Sequence, residues 1–207
     1  MSAPEHIDLA GQNVSRETQE RLQVFADLVE KWNPRINLVS RNSLVHLWGR
    51  HIIDSIQIFQ CTPPAAHWLD LGSGGGFPGV VVAILAADAA PEMDVTLVES
   101  DQRKAAFLRT AIRETGVRGR VRAERIETLD PQNATILSAR ALADLTGLLG
   151  FCERHLDSNG TALFPKGVTW KEEVAEARKN WSFDMEKVDS KTMDGSVILK
   201  ISGVSRA

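Results

Sequence analysis

His67-Trp68-Leu69-Asp70-Leu71-Gly72-Ser73-Gly74-Gly75-Gly76-Phe77-Pro78-Gly79 is the stretch that decides the fold of this 207-residue chain. Trp68, Leu69 and Leu71 supply the apolar run of a short buried strand that ends at an acid, Asp70. Gly72 to Gly76 then remove almost every Cβ from the turn, so the backbone can reach positive φ and a ligand can come close. Pro78 suits the first turn of a helix, where its missing N–H would have had no partner. Gly79 to Ala87 reads on as that helix, apolar throughout.

Two loop patterns overlap here. Gly74 to Gly79 matches the G-x-G-x-x-G fingerprint of dinucleotide-binding folds. Gly72 to Gly76 matches instead the G-x-G-x-G loop of proteins that bind S-adenosylmethionine. The second fits better. Asp70 places a carboxylate just before the first glycine, where it can face a cationic ligand, and Gly74 comes too late to open a dinucleotide loop. A ligand-free glycine turn is the third reading. Five glycines in eight residues speak against it, because each costs about 0.5–1 kcal/mol in chain entropy.

The length fits one domain, or one with an extension, at roughly 100–200 residues per domain. We divide it into an N-terminal helical extension, residues 1–62, and an α/β domain, residues 63–207. Cys61 and Cys152 lie in no metal or redox spacing, so the sequence offers no metal site and fits a reducing, cytoplasmic setting. The first residues carry no basic end followed by an apolar block, so no signal peptide is expected. The longest apolar run, Val80 to Ala87, is far short of the ~20 residues of a membrane span. The formal net charge of −3 does not by itself suggest a nucleic-acid partner. The segment Asp101 to Arg125 does, with eight Arg or Lys against three acids, although a solvated helix face explains such a run equally well.

In chain order, residues 1–13 read as a poorly ordered lead-in. Ser15 caps a helix that presents Leu22, Phe25, Val29 and Trp32 on one face, and Asn33-Pro34 stops it. Asn42 or Ser43 caps a second helix with Val45, Trp48, Ile52, Ile56 and Phe59 on its apolar side. Its other side carries Arg50, His51, Asp54 and Ser55, and Arg50 and Asp54 are spaced to pair. After the glycine loop, strands are predicted over 94–99, 121–125, 135–139, 161–165, 183–188 and 197–201. Helices are predicted from the Asp101 cap to about Glu114, over 144–155 and over 170–180. The alternation gives a parallel sheet covered on both faces. Met193-Asp194-Gly195 turns the last two strands into an antiparallel hairpin. The fold class is therefore α/β: a Rossmann-like methyltransferase sheet with an antiparallel C-terminal strand, preceded by helices.

In such sheets ligands bind beyond the carboxyl ends of the strands, at the switch in strand order. That places Asp70, Gly72, Gly74, Gly76 and Phe77 along one side of a ligand. Glu99, 23 residues after Gly76, ends the next strand and can accept hydrogen bonds from ribose hydroxyls. The fourth strand ends in Ser138-Ala139-Arg140-Ala141. No Asn or Asp followed by Pro-Pro stands there for methylation of an exocyclic amine, and neither cysteine is placed to attack a pyrimidine. An arginine does stand there, able to grip a carboxylate or phosphate or to make a plain surface salt bridge. An acceptor that is already nucleophilic, such as guanine N7, needs no base, and alignment alone can contribute about 7–11 kcal/mol.

Asn33 to Val39, Arg50 to Ser55, Asp70 to Gly79, Glu99-Ser100 with Arg103-Lys104 and Phe107-Leu108, Ala139 to Ala143 and Phe164 to Gly167 together resemble, nearly end to end, the RsmG (GidB) family of bacterial ribosomal RNA methyltransferases. The resemblance implies transfer of a methyl group from S-adenosylmethionine to N7 of one guanine in the decoding-region loop of 16S rRNA, with the small subunit or its precursor as partner. It implies cofactor contacts by Gly72, Phe77, Ile126, Glu127 and Arg140. It also casts Arg35, Asn37, Arg50, His51, Arg103, Lys104 and Lys166 as an RNA-facing set, with phosphate contacts that position rather than read sequence. No catalytic acid or base is assigned, no membrane is expected, and the chain is expected to act as a monomer. The competing readings are an NAD(P)-dependent oxidoreductase, carried only by the Gly74–Gly79 pattern, and a noncatalytic RNA-binding protein on a degenerate cofactor fold.

Overall fold

The computed structural model describes residues 14–207, so the lead-in expected over residues 1–13 lies outside the described residues. Seven strands form one sheet in the order β3-β2-β1-β4-β5-β7-β6. β1 (His67–Leu71), β2 (Asp94–Val98), β3 (Arg120–Arg122), β4 (Ala134–Ala139) and β5 (Leu156–Lys166) run parallel. β7 (Val197–Arg206) is antiparallel to both β5 and β6 (Trp181–Asp189). The hairpin turn is the expected one: Gly195 takes φ +76° and Ser196 N–H donates to Met193 O. The strand order reverses between β1 and β4, which puts the switch point beside the glycine loop.

Helices α4 (Gly79–Ala89), α5 (Gln102–Glu114), α6 (Leu145–His155) and α7 (Trp170–Ala177) connect the strands. Their starts follow from side-chain capping. Asp101 accepts from Arg103 and Lys104 N–H at α5, and Asp144 accepts from Gly147 N–H at α6. α4 is buried along almost its whole length, which explains why its sequence is apolar all round rather than amphipathic. The sheet separates two apolar cores. One lies under α4 and α5, the other under α6 and α7.

The N-terminal helices depart most from expectation. α1 spans Arg16–Ile36, so Asn33-Pro34 does not end it. Pro34 sits in the last turn, where it removes only one hydrogen bond. The helix stops three residues later, where Asn37 adopts φ 49° and its N–H donates to Asn33 O. The second helix is capped by Ser40, not Asn42 or Ser43, and α2 is only Arg41–Leu44. A π-helical segment, Trp48–Ile53, runs directly into α3, Asp54–Gln60. The wider winding breaks the 3.6-residue stripe, and Val45, expected on the apolar side, is exposed. β3 is shorter than predicted, while β5, β6 and β7 are longer. Leu22, Phe25 and Val29 of α1 and Ile52, Ile56 and Ile58 of the following segment share one core with α4, β2 and α5.

Candidate functional site

The glycine loop is held from below. β1 continues one residue past Asp70, whose side chain is 0% exposed. Its carboxylate accepts from Gly79 N–H at 3.2 Å and from Ser138 Oγ at 2.7 Å. Ser138 Oγ in turn accepts from Trp68 Nε1 at 2.9 Å. Asp70 thus ties β1, β4 and the start of α4 together beneath the loop, rather than facing a ligand. Burial pushes its carboxyl up to about 6 against the pull of these donors. A Cβ at Gly79 would lie 2.5 Å from Asp70 Oδ2, so only glycine lets this amide reach the carboxylate.

Above Asp70 the loop curls through positive φ at Gly72 (64°), Gly74 (52°) and Gly76 (88°). Glu99 braces it from the end of β2. One carboxylate oxygen accepts from Gly74 N–H at 2.9 Å, the other from Asp101 N–H at 2.8 Å. Each oxygen keeps a second lone pair for a further donor.

Gly72, Gly74, Glu99, Ile126, Glu127 and Arg140 line one cavity of about 310 Å³ at the carboxyl ends of the strands, together with Lys104 at its rim. Six residues chosen from sequence as cofactor contacts therefore meet. Ile126 and Glu127 arrive on a turn four residues beyond β3, not directly from the strand. Gly76 and Phe77 stand apart from this cavity. Gly76 packs on Val80 and Phe25, where a Cβ would come within 2.8–2.9 Å. Phe77 is buried between Phe25 and His51, each with its ring centroid 5.1 Å away, and the Arg140 guanidinium lies over its ring at 5.2 Å.

Arg140 Nη1 donates to His51 Nδ1 at 2.6 Å. His51 must therefore be the neutral acceptor, and burial with the charges of Arg140 and Arg50 holds its pKa down to about 4. Its Nε2 is buried without a hydrogen-bond partner. Asp54, three residues on, takes a hydrogen bond from Thr192 Oγ1 rather than pairing with Arg50 as expected.

The residues expected to face RNA divide. Arg35, Asn37, Arg50 and Arg103 are exposed. Asn37 adjoins Leu38, whose carbonyl presses on Gly75, so this turn sits against the glycine loop. Arg103 is engaged with Asp101 at 2.9 Å. His51 is turned inward against Phe77 and Arg140. Lys166 is also turned inward. Its side chain is 8% exposed, and Nζ donates to Glu173 Oε2 at 2.7 Å and to Ala143 O at 3.1 Å. In the basic run 101–125, Arg103, Arg113 and Arg122 pair with acids of the run itself, and Arg118 and Arg120 lie within 4 Å of Glu92 and Asp94 outside it, so part of the positive excess remains.

Ser138 and Thr192 were not singled out from sequence, since neither lies in a motif. Ser138 was legible only as the residue paired with Asp70 across two parallel strands. Among the described residues no cluster of three or more His, Cys, Asp or Glu side chains could hold a metal, and no helix is long and apolar enough to cross a membrane.

This sheet order and strand-end cavity define the Rossmann-like methyltransferase fold. Solved structures agree at the level of fold. SAH-bound Podospora anserina methyltransferase PaMTH1 aligns with a TM-score of 0.59 at 14% identity, covering 92% of this chain and 97% of that one. A MtNAS variant in complex with S-adenosylmethionine aligns with a TM-score of 0.59 at 13% identity, covering 89% of this chain and 75% of that one. Sequence comparison goes further. Residues 18–197 match the GidB family, rRNA small subunit methyltransferase G. The chain is 64% identical over 194 residues to "Ribosomal RNA small subunit methyltransferase G" of Ruegeria pomeroyi, covering 94% of this chain and 95% of that protein. It is 50% identical to the protein of the same name from Rhizobium etli, covering 97% and 99%. The chain belongs to the GidB family of small-subunit rRNA methyltransferases.

Proposed function

We propose that this protein transfers a methyl group from S-adenosylmethionine to N7 of one guanine in the decoding-region loop of 16S rRNA, acting as a cytoplasmic monomer on the small subunit or its precursor. The observation that carries the reading is the convergence of Gly72, Gly74, Glu99, Ile126, Glu127 and Arg140 on one cavity, in a chain of this family.

The cavity suits the cofactor. Glu99 offers acceptors for ribose hydroxyls beside the backbone of Gly72 and Gly74. Ile126 and Glu127 supply backbone and a carboxylate for an adenine edge. When bound, S-adenosylmethionine supplies a methyl group on a positive sulfur, which leaves as a neutral thioether while the acceptor's lone pair takes the methyl.

The choice of N7 comes from the family to which the chain belongs, and N7 carries no proton, so transfer to it asks for no base. His51, held near pKa 4, is a poor proton acceptor at neutral pH. Asp70 is sealed below the loop. Cys152 is buried and pushed up to about 12, so it is no nucleophile. An in-plane lone pair that carries no proton needs none of them. Arg35, Asn37 and Arg50 form the exposed rim that we assign to phosphate contact, and residues 1–62 form the extension that carries it.

Mass spectrometry of 16S rRNA from cells with and without the protein tests this. The expected result is loss of one N7-methylguanine from the decoding-region loop. Unchanged methylation there rules the assignment out.

A further inference from the structure

A second cavity, of about 160 Å³, shares no lining residue with the first. It is lined by Asp54 and Gln57 of α3, Lys166 and Gly167 at the end of β5, and Ser190 and Ser196 of the β6–β7 turn. Two connections place it next to the cofactor cavity. β4 and β5 are parallel neighbours with Ser138 opposite Leu163, so Arg140 and Pro165 leave the sheet side by side. His51, bonded to Arg140, lies three residues before Asp54 on one continuous helical segment.

The lining is mixed: Ile58, Pro165, Met193, Val197 and Ile198 supply apolar surface, and the polar groups stand among them. Ser196 Oγ is buried without a hydrogen-bond partner. The Asp54 carboxylate accepts from Thr192 Oγ1 through one oxygen only. Gln57 is fully used: its amide N–H donates to Asp189 O at 2.8 Å and its oxygen accepts from Lys191 N–H at 3.1 Å, which pins the turn to α3. Lys166 is likewise satisfied by Glu173. Ser196 Oγ has no hydrogen-bond partner and the Asp54 carboxylate keeps acceptor capacity on both oxygens, so the lining offers a hydroxyl and a carboxylate to an incoming group.

Resting on the function proposed above, we infer that this second cavity receives the acceptor guanine, and that Asp54 recognises it by accepting from the base's N1–H and exocyclic N2–H. Guanine is the one standard base that presents two adjacent donors on its pairing edge, which matches an acceptor-only carboxylate. Adenine and the pyrimidines present an acceptor at one or both of these places and leave Asp54 with an unmet lone pair. The base must leave the stack of its loop to enter, as bases do when an enzyme acts on them. Thr192 donates to one of the two Asp54 oxygens, which keeps a second lone pair for the base, so Asp54 is a specificity residue whose aim is set by the β6–β7 turn.

The test pairs a protein change with a base change. Small subunits are reconstituted with 16S rRNA carrying inosine at the target position; inosine keeps N7, O6 and N1–H but lacks the N2 amine. Wild-type protein should methylate the inosine particle about 10–100-fold less efficiently in kcat/KM, the loss of one charge-assisted hydrogen bond. Asp54→Asn should lose a similar factor on guanine yet discriminate inosine less than threefold, while binding S-adenosylmethionine with unchanged affinity. Thr192→Val, which keeps the carboxylate, should retain the inosine discrimination. Equal rates on guanine and inosine with wild-type protein, or full inosine discrimination by Asp54→Asn, overturns the inference. Those outcomes leave the N7 assignment standing, because wild-type transfer to guanine N7 is read in the same assay.

Discussion

His51 shows how a charge pattern that looks like a nucleic-acid contact can serve the interior. Arg50-His51 is a basic pair in the sequence, yet the imidazole is a neutral acceptor clamped between Phe77 and Arg140. Arg140 keeps its charge, since a guanidinium does not deprotonate in proteins, and His51 gives it a partner without neutralising it. The sign of the pH effect follows. A histidine whose folded pKa falls from 6.5 to about 4 binds fewer protons folded than unfolded across that window, so its contribution to stability is present above pH 6.5 and is lost as pH falls toward 4. Asp70 acts oppositely: its folded pKa rises from 3.8 to about 6, so the folded state gains relative stability as pH falls through 6. The two effects overlap and offset in bulk unfolding, and a resonance of His51 itself separates them. We predict that its ring signals in NMR stay those of a neutral imidazole down to about pH 4. A midpoint near 6.5 would refute the clamp.

The β1–loop–α4 unit was the most legible element, because each of its parts is local. Strand, turn and helix follow from apolar run, glycines and proline within thirteen residues. What the sequence concealed is the direction of Asp70. From spacing alone the acid before the loop could face up to a ligand or down into the sheet. Ser138, a residue 68 positions away, fixes it downward. The same limit applies to Pro34 and to the π-helical segment. A proline in the last turn costs little, and a widened turn leaves no local signature in the sequence. The Asp70 clamp gives a prediction of its own. Gly79→Ala forces a Cβ against Asp70 Oδ2 and should cost about 1–3 kcal/mol, the usual range for overpacking. Urea unfolding reads this as a lower midpoint. An unchanged midpoint would mean that the clamp does not contribute.

Across the whole molecule, the N-terminal helices and the sheet share a core rather than merely touching. Phe25 of α1 packs on Phe77 of the glycine loop and, at 6.4 Å between centroids, on Phe107 of α5. The loop that lines the strand-end cavity is thus backed by a residue from the N-terminal segment. The helical stripe Leu22, Phe25, Val29 announced a buried face, but not what it would bury against, since that is settled by long-range packing. Charge behaves likewise. The basic excess over 101–125 is a sum along the chain, whereas the approach of Glu92 to Arg118 and of Asp94 to Arg120, which offsets part of it, is a matter of neighbours in space. Arg35, Asn37 and Arg50 stay exposed.

Under the proposed function the strand-end cavity and the second cavity serve one event, and a single assay reaches it. Purified protein is incubated with methyl-labelled S-adenosylmethionine and small subunits from cells lacking the protein, and the RNA is then digested and resolved base by base. The account predicts one labelled methyl group per 16S rRNA, on guanine N7 in the decoding-region loop. Label on another atom or another base, or none at all, would contradict it.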